Sequence, residues 1–222
     1  MNAGTTYKKI SETTDRADHL WRYTPWKKVH PTGDIKKIPE MDEEISIRLI
    51  NLDGSEPAEG ISLQRGDEIE EDLPNIDLVA TSFVKAVSEN SRWVLKTERK
   101  FYSETPILIE IEADGDMHAL ELILDIGEMS DFEIITLIKG NANWIGLLRT
   151  GKIGNASNIN DITVGLQKKG VLLRLDSMSL GRDANMNTGT VSSGSERTKA
   201  DLRYKMAERG SNLHVLGSIL SR

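Results

Sequence analysis

Glycines recur at nearly even intervals through the second half of the chain, and this spacing constrains the fold more than any other feature. They lie at positions 115, 127, 140, 154, 170, 181, 194 and 210. The mean interval is about 14 residues, a sustained period that is typical of repeat architectures. Two intervals would make one rung of roughly 27 residues, which lies within the repeat lengths of solenoids.

Alternating apolar and polar residues fill the segments between these glycines. The alternation is clearest in residues 107–111, 120–124, 171–175 and 202–206. This period of two predicts strands with one apolar face and one face in water. We therefore expect Glu121, Arg174 and Asp176 to point to solvent. Short, evenly spaced strands also fit a sandwich or a propeller, but apart from Asp114-Gly115 there is no series of Asn-Gly or Asp-Gly hairpin turns. The pattern favours a β-solenoid.

Composition divides the chain into three predicted regions. Residues 1–39 form a basic N-terminal helix and aromatic-basic arm. Residues 40–105 form a small α/β entry region, and residues 106–222 form the β-helix core. Within the first two regions we predict helices over 11–20 and 76–89 and strands over 45–50 and from Trp93. No capping element is readable after Leu220, so we expect the core to be incomplete at its C-terminus.

Several function classes are excluded or disfavoured by composition. The chain has no cysteine, which rules out a disulfide scaffold, a thiol nucleophile and cysteinyl iron–sulfur ligation by this chain alone. The formal charge of −7 disfavours a dedicated nucleic-acid binder. No run approaches the roughly 20 apolar residues of a transmembrane helix, and the N-terminus lacks the apolar segment of a signal peptide. We expect a cytoplasmic protein.

No residue pattern predicts a catalytic, cofactor-binding or metal-ligating residue. None of the histidines at 19, 30, 118 and 214 pairs with another ligand at a metal-binding spacing. Carboxylates do cluster at Asp125, Glu128, Asp131 and Glu133, and paired acids are what glycoside-cleaving enzymes need. A carbohydrate-active β-helix enzyme that uses these acids is the alternative function.

An aromatic-basic segment near the N-terminus is the candidate interaction site. It contains Trp21, Arg22, Tyr23 and Trp26. Aromatic and arginine side chains dominate the energetics of protein interfaces, so we predict that these residues dock a partner. Stacking on single-stranded nucleic acid is the other interpretation of this segment.

The order of three features resembles the SufB/SufD family of iron–sulfur cluster assembly scaffolds. Trp21-Arg22-Tyr23-Thr24 resembles the W-[RK]-Y-T signature near the start of SufD proteins. Residues 77–83, followed by Trp93-Val94-Leu95, are similar to the entry into the SufB/SufD core. The glycine-punctuated strands resemble that family's right-handed parallel β-helix. The resemblance covers essentially the whole chain and is closest to SufD.

This resemblance implies a non-catalytic scaffold subunit. Members of the family assemble with the ABC ATPase SufC and build iron–sulfur clusters for transfer to other proteins. The implied partners are a SufC-like ATPase and a SufB-like or identical scaffold subunit, paired through β-helix strands. No cluster ligand can be carried over to any residue here. The resemblance therefore implies that a cluster is held only together with partner subunits. Known members are longer, and their helical SufC-docking region has no counterpart here.

Overall fold

The computed structural model of the chain is mainly β, with 54% of residues in strands and 12% in helices. It describes residues 3–13, 25–41, 45–66, 73–74, 78–206 and 209–220. A right-handed parallel β-solenoid of about five turns follows a small N-terminal region of helices and strands. The predicted fold class is confirmed.

Helices and strands divide unequally along the chain. The helices are α1 (Ala3–Thr13), α2 (Trp26–Val29) and α3 (Leu78–Val87). The strands are β1 (Ser46–Asn51), β2 (Ile61–Arg65), β3 (Arg92–Thr97), β4 (Ile107–Ala113), β5 (Met117–Ile126), β6 (Asp131–Gly140), β7 (Trp144–Ile153), β8 (Asn158–Gln167), β9 (Val171–Leu180), β10 (Asn185–Ser193), β11 (Arg197–Met206) and β12 (Asn212–Leu220).

Three of the four local predictions in the N-terminal regions match these bounds. The predicted strand over 45–50 is β1, the helix over 76–89 is α3, and the strand from Trp93 is β3. The predicted helix over 11–20 starts too late, because α1 begins at Ala3; α1 includes residues 11–13, and residues 14–20 lie outside the described residues. No described helix has the length and apolar character to span a membrane.

Successive strands alternate between two six-stranded sheets. Sheet A has the order β1-β4-β6-β8-β10-β12, and sheet B has the order β11-β9-β7-β5-β3-β2. All the strand pairs formed within the series from β3 to β12 are parallel. β1 pairs antiparallel with β4, and β2 pairs antiparallel with β3. Strands from residues 40–105 and from residues 106–222 therefore share both sheets.

The register of the stacked strands gives the length of one rung. Met117 pairs with Trp144 and Trp144 with Val171, so equivalent residues of sheet B lie 27 positions apart. Asn158, Asn185 and Asn212 are stacked at the same interval in sheet A. The predicted rung of roughly 27 residues is confirmed. Two strand pairs near the ends of sheet B depart from this interval. Arg92 pairs with Glu121 at an interval of 29, and Val171 pairs with Arg197 at an interval of 26.

Glycines at one corner of the solenoid allow the rungs to approach closely. Gly127, Gly154 and Gly181 occupy equivalent positions one rung apart. A Cβ at Gly127 would lie 2.4 Å from the carbonyl oxygen of Glu98, and one at Gly154 would lie 2.6 Å from the amide nitrogen of Glu128. Both distances are too short for a side chain. The corner period in the sequence therefore reflects backbone contact between consecutive rungs.

Two apolar clusters lie on opposite sides of sheet B. One fills the solenoid interior between the sheets and includes Leu120, Leu122, Ile134 and Ile145. The other joins the outer face of sheet B to α1, α2 and α3. It includes Tyr7, Trp26, Val29, Phe83, Trp144, Leu148, Leu173 and Leu175. The N-terminal helices thus cover one face of the solenoid.

This covering layer makes the expected solvent-facing sides of β5 and β9 wrong. In β9, Leu173 and Leu175 face outwards beneath the N-terminal layer, while Arg174 and Asp176 point into the interior and are fully buried. Glu121 faces outwards but is also buried, and its carboxylate accepts a hydrogen bond from Nε of Arg92 at 2.7 Å. Period-two alternation separates two faces but does not say which one water reaches, because burial is decided by what packs on each.

Candidate functional site

The predicted docking segment falls largely outside the described residues, which exclude Trp21, Arg22 and Tyr23. Trp26 is described and is 3% exposed. Its ring packs edge-on against Phe83 at 5.4 Å, and its Nε1 donates a hydrogen bond to the hydroxyl of Tyr7 at 3.2 Å. Trp26 is therefore a core residue of the N-terminal layer, and its side chain is not exposed for docking. Burial raises the pKa of Tyr7 to about 12.

The four carboxylates near the Gly127 corner do not converge on one site. Asp125 lies on sheet B between Lys96 and Lys152, at 3.6 and 3.5 Å. Asp131 and Glu133 lie on sheet A and accept hydrogen bonds from the amides of asparagines one rung away. Glu128, at the turn, accepts one from Asn155 at 3.1 Å. Asp131 and Glu133 share the outward face of β6, whereas Asp125 lies on sheet B and Glu128 at the turn, so the four acids are not gathered into one site.

The described histidines are dispersed through the fold. His30 packs on Phe83 at 4.6 Å, and burial lowers the pKa of its imidazole to about 4. His118 is buried with Nε2 against the carbonyl oxygen of Asp114, and His214 is exposed on sheet A. His19 lies outside the described residues. Among the described residues, no group of three or more His, Asp or Glu side chains could hold a metal ion.

A buried ionic cluster inside the later rungs is the most unusual chemical feature of the described chain. Arg149 and Asp161 face each other across the interior, with Nη2 of Arg149 2.9 Å from Oδ2 of Asp161. Arg174 contacts Oδ2 of Asp176 at 2.7 Å and Oδ2 of Asp161 at 3.3 Å. All four side chains are 0% exposed. Two arginines and two aspartates make the cluster electrically neutral.

Hydroxyl groups add further hydrogen bonds to this cluster, although Nε of Arg149 and Oδ1 of Asp161 have no hydrogen-bond partner among the described residues. The Thr188 hydroxyl donates to Oδ2 of Asp161 at 2.6 Å, and Nη1 of Arg149 donates to the Thr163 hydroxyl at 2.9 Å. Tyr204, from the last rung, donates its hydroxyl to Oδ2 of Asp176 at 2.7 Å. The cluster therefore links three consecutive rungs through side chains as well as through the backbone.

The titration of the cluster follows from burial and from these contacts. Burial alone would raise the pKa of Asp176, but Arg149 and Arg174 outweigh it, and the pKa lies below its usual value. Burial would likewise lower the pKa of Arg149, yet Asp161 and Asp176 hold it above the ordinary value. Burial and the neighbouring Asp176 raise the pKa of Tyr204. Asp176 is ionised and Tyr204 is neutral near neutral pH, so neither group is poised to exchange protons there.

The cluster acts on the register of the rungs rather than on a ligand. Each charge is paired and enclosed, so no cationic or anionic group of the cluster is presented to a ligand. A buried network of paired charges can select one register among the alternatives, because a slipped rung would leave charges unpaired. Sequence reasoning missed the cluster by assigning Arg174 and Asp176 to solvent. The 27-residue rung is the signal that could have located the cluster. It aligns Asp176 with Arg149, and Arg149 with the buried Leu122.

The last rung exposes side chains that would be interior in a continuing stack. Met206 is 56% exposed and Val215 is 51% exposed, although both lie in inward-facing columns of their sheets. No described residue outside the two sheets covers them. This end therefore combines open strand edges with an apolar rim.

Comparison with protein-family models, with curated proteins and with solved structures gives no match for this chain.

Proposed function

We propose that this chain is a non-catalytic scaffold subunit of a SUF-type iron–sulfur cluster assembly complex that works with a SufC-like ABC ATPase. The observation that supports the proposal is the order of elements along the chain. An N-terminal helical layer and a short α/β segment lead into a right-handed parallel β-solenoid. This is the architecture that the resemblance in the sequence implies.

The chemistry of the side chains is consistent with a supporting role. Iron–sulfur clusters are usually held by thiolates, and this chain has no cysteine. The proposal therefore gives cluster ligands to a SufB-like partner and gives this chain the task of orienting and covering the assembly site. The cluster is cargo of the complex under this proposal.

The open last rung is the surface that we propose for pairing with a second scaffold subunit. The amide of Asn212 donates to the carbonyl oxygen of Ala184 on the β10 side. Alternate amides of a strand point to opposite sides, so the amides of Val215 and Gly217 point away from β10. A partner strand can add to this edge by backbone hydrogen bonds while covering the apolar rim.

Co-purification with the candidate partners tests the proposal. The tagged chain is co-expressed with a SufC-like ATPase and a SufB-like scaffold encoded in the same genome. We expect a complex that contains the SufB-like subunit, and we expect reconstituted clusters only when that subunit is present. Absence of both partners from the purified material would remove the proposed function.

A proline at the strand edge makes this test specific. Val215→Pro removes one outward-pointing amide without removing a β10–β12 hydrogen bond, since proline is tolerated on sheet edges. We expect this variant to lose at least tenfold in affinity for the SufB-like subunit. Val215→Ala is the matched control: it trims the side chain of the rim but keeps the amide, so its loss of affinity should be much smaller than that of the proline variant. Equal loss in both variants would assign the effect to the side chain and contradict pairing through the edge.

A further inference from the structure

The outer face of sheet A has a polarity that is unusual for a solenoid. On β8, the outward residues Ile162, Val164 and Leu166 alternate with the inward residues Asp161 and Thr163. Ile162 is 42% exposed and Leu166 is 48% exposed. The apolar side of this strand therefore faces away from the interior, where the ionic cluster lies.

The exposed aliphatic side chains form continuous columns across neighbouring rungs. In one column Ile135, Ile162, Gly189 and Leu216 are stacked in register, and Leu216 is 74% exposed. In the adjacent column Leu137, Val164 and Val191 are stacked. No described segment packs on this face, and the outward positions of β8 and β10 carry no charged residue. Contiguous exposed apolar surface of this kind marks an interaction site.

Gly189 interrupts its column with a notch. Lacking a side chain, it leaves a groove of about 380 Å³ that runs between Ile162 and Leu216. The groove continues over Thr190 and Ser218 towards the second column. A branched aliphatic side chain from a facing surface fits such a notch.

The polar end of the same face carries asparagine columns. Asn158, Asn185 and Asn212 are stacked at one position, and Asn160 and Asn187 at the next. Their amides hydrogen-bond along the stack, with Asn212 Nδ2 2.8 Å from Oδ1 of Asn185. The strand beginnings are thus polar, and the aliphatic columns follow further along each strand.

We propose that this face is the interface of a homodimer, in which two copies pack sheet A against sheet A about a two-fold axis parallel to the strands. A rotation about that axis leaves the strands of the two copies parallel, so residues at the same register position face each other. It reverses the order of the rungs, so that β8 lies over β10 of the second copy. Ile162 of each copy then inserts at Gly189 of the other, because Ile162 and Gly189 occupy the same register position. Isologous contacts of this kind place the same patch on both partners.

The alternative two-fold axis, along the solenoid, gives poorer complementarity. It reverses the strand direction and sets the asparagine columns against the column of Lys139 and Leu166. The axis parallel to the strands sets the polar strand beginnings over one another, with Asp131 and Glu133 of β6 opposite Asn212 and His214 of β12, and sets aliphatic columns over aliphatic columns. Polarity therefore selects one of the two arrangements.

The size of the face is sufficient for a stable dimer. Four strands of nine or ten residues, spaced by about 4.8 Å, project an area of roughly 600 Å². Accessible surface exceeds projected area, and a standard interface buries about 800 Å² per partner. Sheets that pack face to face lie about 10 Å apart, which is the distance at which branched side chains interdigitate. The inference is independent of the proposed scaffold function, which uses the edge of the last rung.

Filling the notch tests the proposal without disturbing the monomer. A Cβ at Gly189 would meet only the carbonyl oxygen of Leu216, at 3.7 Å, so Gly189→Ile is compatible with the fold. The wild-type chain should have twice its chain mass of 24.7 kDa by light scattering at tens of micromolar, and Gly189→Ile should have the monomer mass. A monomeric wild type would overturn the proposal, as would a Gly189→Ile variant that stays dimeric. Circular dichroism confirms that the variant is folded.

Exchanging the residues at positions 162 and 189 distinguishes specific insertion at the notch from non-specific hydrophobic association of the face. Ile162→Gly combined with Gly189→Ile moves the protruding side chain to β10 and the notch to β8. Under the proposed symmetry the two again face each other, so the double variant should recover the dimer mass. Failure to recover, in a folded double variant, would contradict the pairing. Leu52→Asp, at an exposed turn, and Val215→Pro, at the strand edge, are the controls and should leave the mass of a face-to-face dimer unchanged.

Discussion

The first rungs of the solenoid are filled with aliphatic side chains, whereas the later rungs carry a buried ionic cluster at equivalent positions. One inward column of sheet B contains Leu122, Arg149, Asp176 and Leu202 in successive rungs. One inward column of sheet A contains Ile134, Asp161, Thr188 and Val215. The backbone pairing continues through both regions without a change of topology.

The contrast between aliphatic early rungs and ionic later rungs shows that the winding of the chain does not depend on an apolar interior alone. Rung stacking is maintained by parallel backbone pairing and by the close glycine corners, which are common to both regions. The interior of a rung can then hold aliphatic side chains or a neutral set of charges. A paired cluster of charges is not itself strong evidence of stability, because desolvation offsets its internal attraction.

Removing one cation should have the largest effect in the later rungs. Arg174→Leu leaves two buried aspartates with one arginine and also removes donors to Thr188 and Thr190. We expect the free energy of unfolding to fall by about 3–5 kcal/mol, as is typical when one partner of a buried ion pair is lost. Urea denaturation measures the change. Arg182→Leu, at an exposed turn, is the control and should change it by less than about 0.5 kcal/mol. Equal losses in the free energy of unfolding for the two variants would show that the contacts of Arg174 within the cluster do not contribute to stability.

The corresponding change in the early rungs should be smaller and of different origin. Leu122→Ala removes buried aliphatic volume and leaves a cavity, with an expected loss of about 3 kcal/mol in the free energy of unfolding. Chemical denaturation of this variant beside Leu52→Ala, which changes an exposed leucine, checks the value. A loss no greater than that of the control would place Leu122 outside the packed interior.

Replacing the whole cluster by early-rung residues should be far milder than removing one member. The variant combines Arg149→Leu, Asp161→Ile, Arg174→Leu, Asp176→Leu and Tyr204→Phe. The first four changes introduce aliphatic residues found at equivalent positions of earlier rungs, and Tyr204→Phe removes the hydroxyl that donates to Asp176. Paired charges replaced together by apolar groups are often neutral or stabilising by about 1–4 kcal/mol. We therefore expect unchanged or increased stability in urea. A loss as large as that of Arg174→Leu alone would contradict this interpretation and assign the cluster a net stabilising role.

The same multiple variant should also be less sensitive to acid. The pKa of Asp176 is lower in the folded chain than in the unfolded chain, where it is near 3.8. The unfolded state therefore binds more protons as the pH falls through this value, and the folded state loses the stability that the carboxylate contributes above it. We expect the wild-type free energy of unfolding to fall more steeply than that of the variant between about pH 5 and pH 3. Glu110, whose pKa is lowered by Lys139 and Arg48, is present in both proteins and cancels in the difference. Parallel curves would contradict the expectation.

The functional surfaces were less predictable than the fold. Trp26 belongs to an aromatic-basic segment and was predicted to dock a partner, but Tyr7 and Phe83 enclose it. The segment's composition could not indicate this, because the enclosing residues lie elsewhere in the chain. The acids near Gly127 were considered together because they are close in sequence, yet the turn sends Asp125 and Asp131 to different sheets. The exposed apolar face of sheet A was not predicted, because Ile162 and Val164 have the alternation of any half-buried strand.

The β-solenoid fold of this protein could be predicted from the sequence pattern. A glycine period that recurs every half rung, with alternating strands between the corners, permits close stacking and little else, since longer side chains at the corners would collide with the rung below. The alternation placed the apolar faces of β4 and β5 in the interior correctly, whereas the inward faces of β8 and β9 depend on how distant segments pack. The N-terminal helices bury the outer face of sheet B, and the ionic cluster fills part of the interior, so apolar residues of sheet A remain at the surface. Such a choice depends on residues distant in sequence, and a local pattern does not contain it.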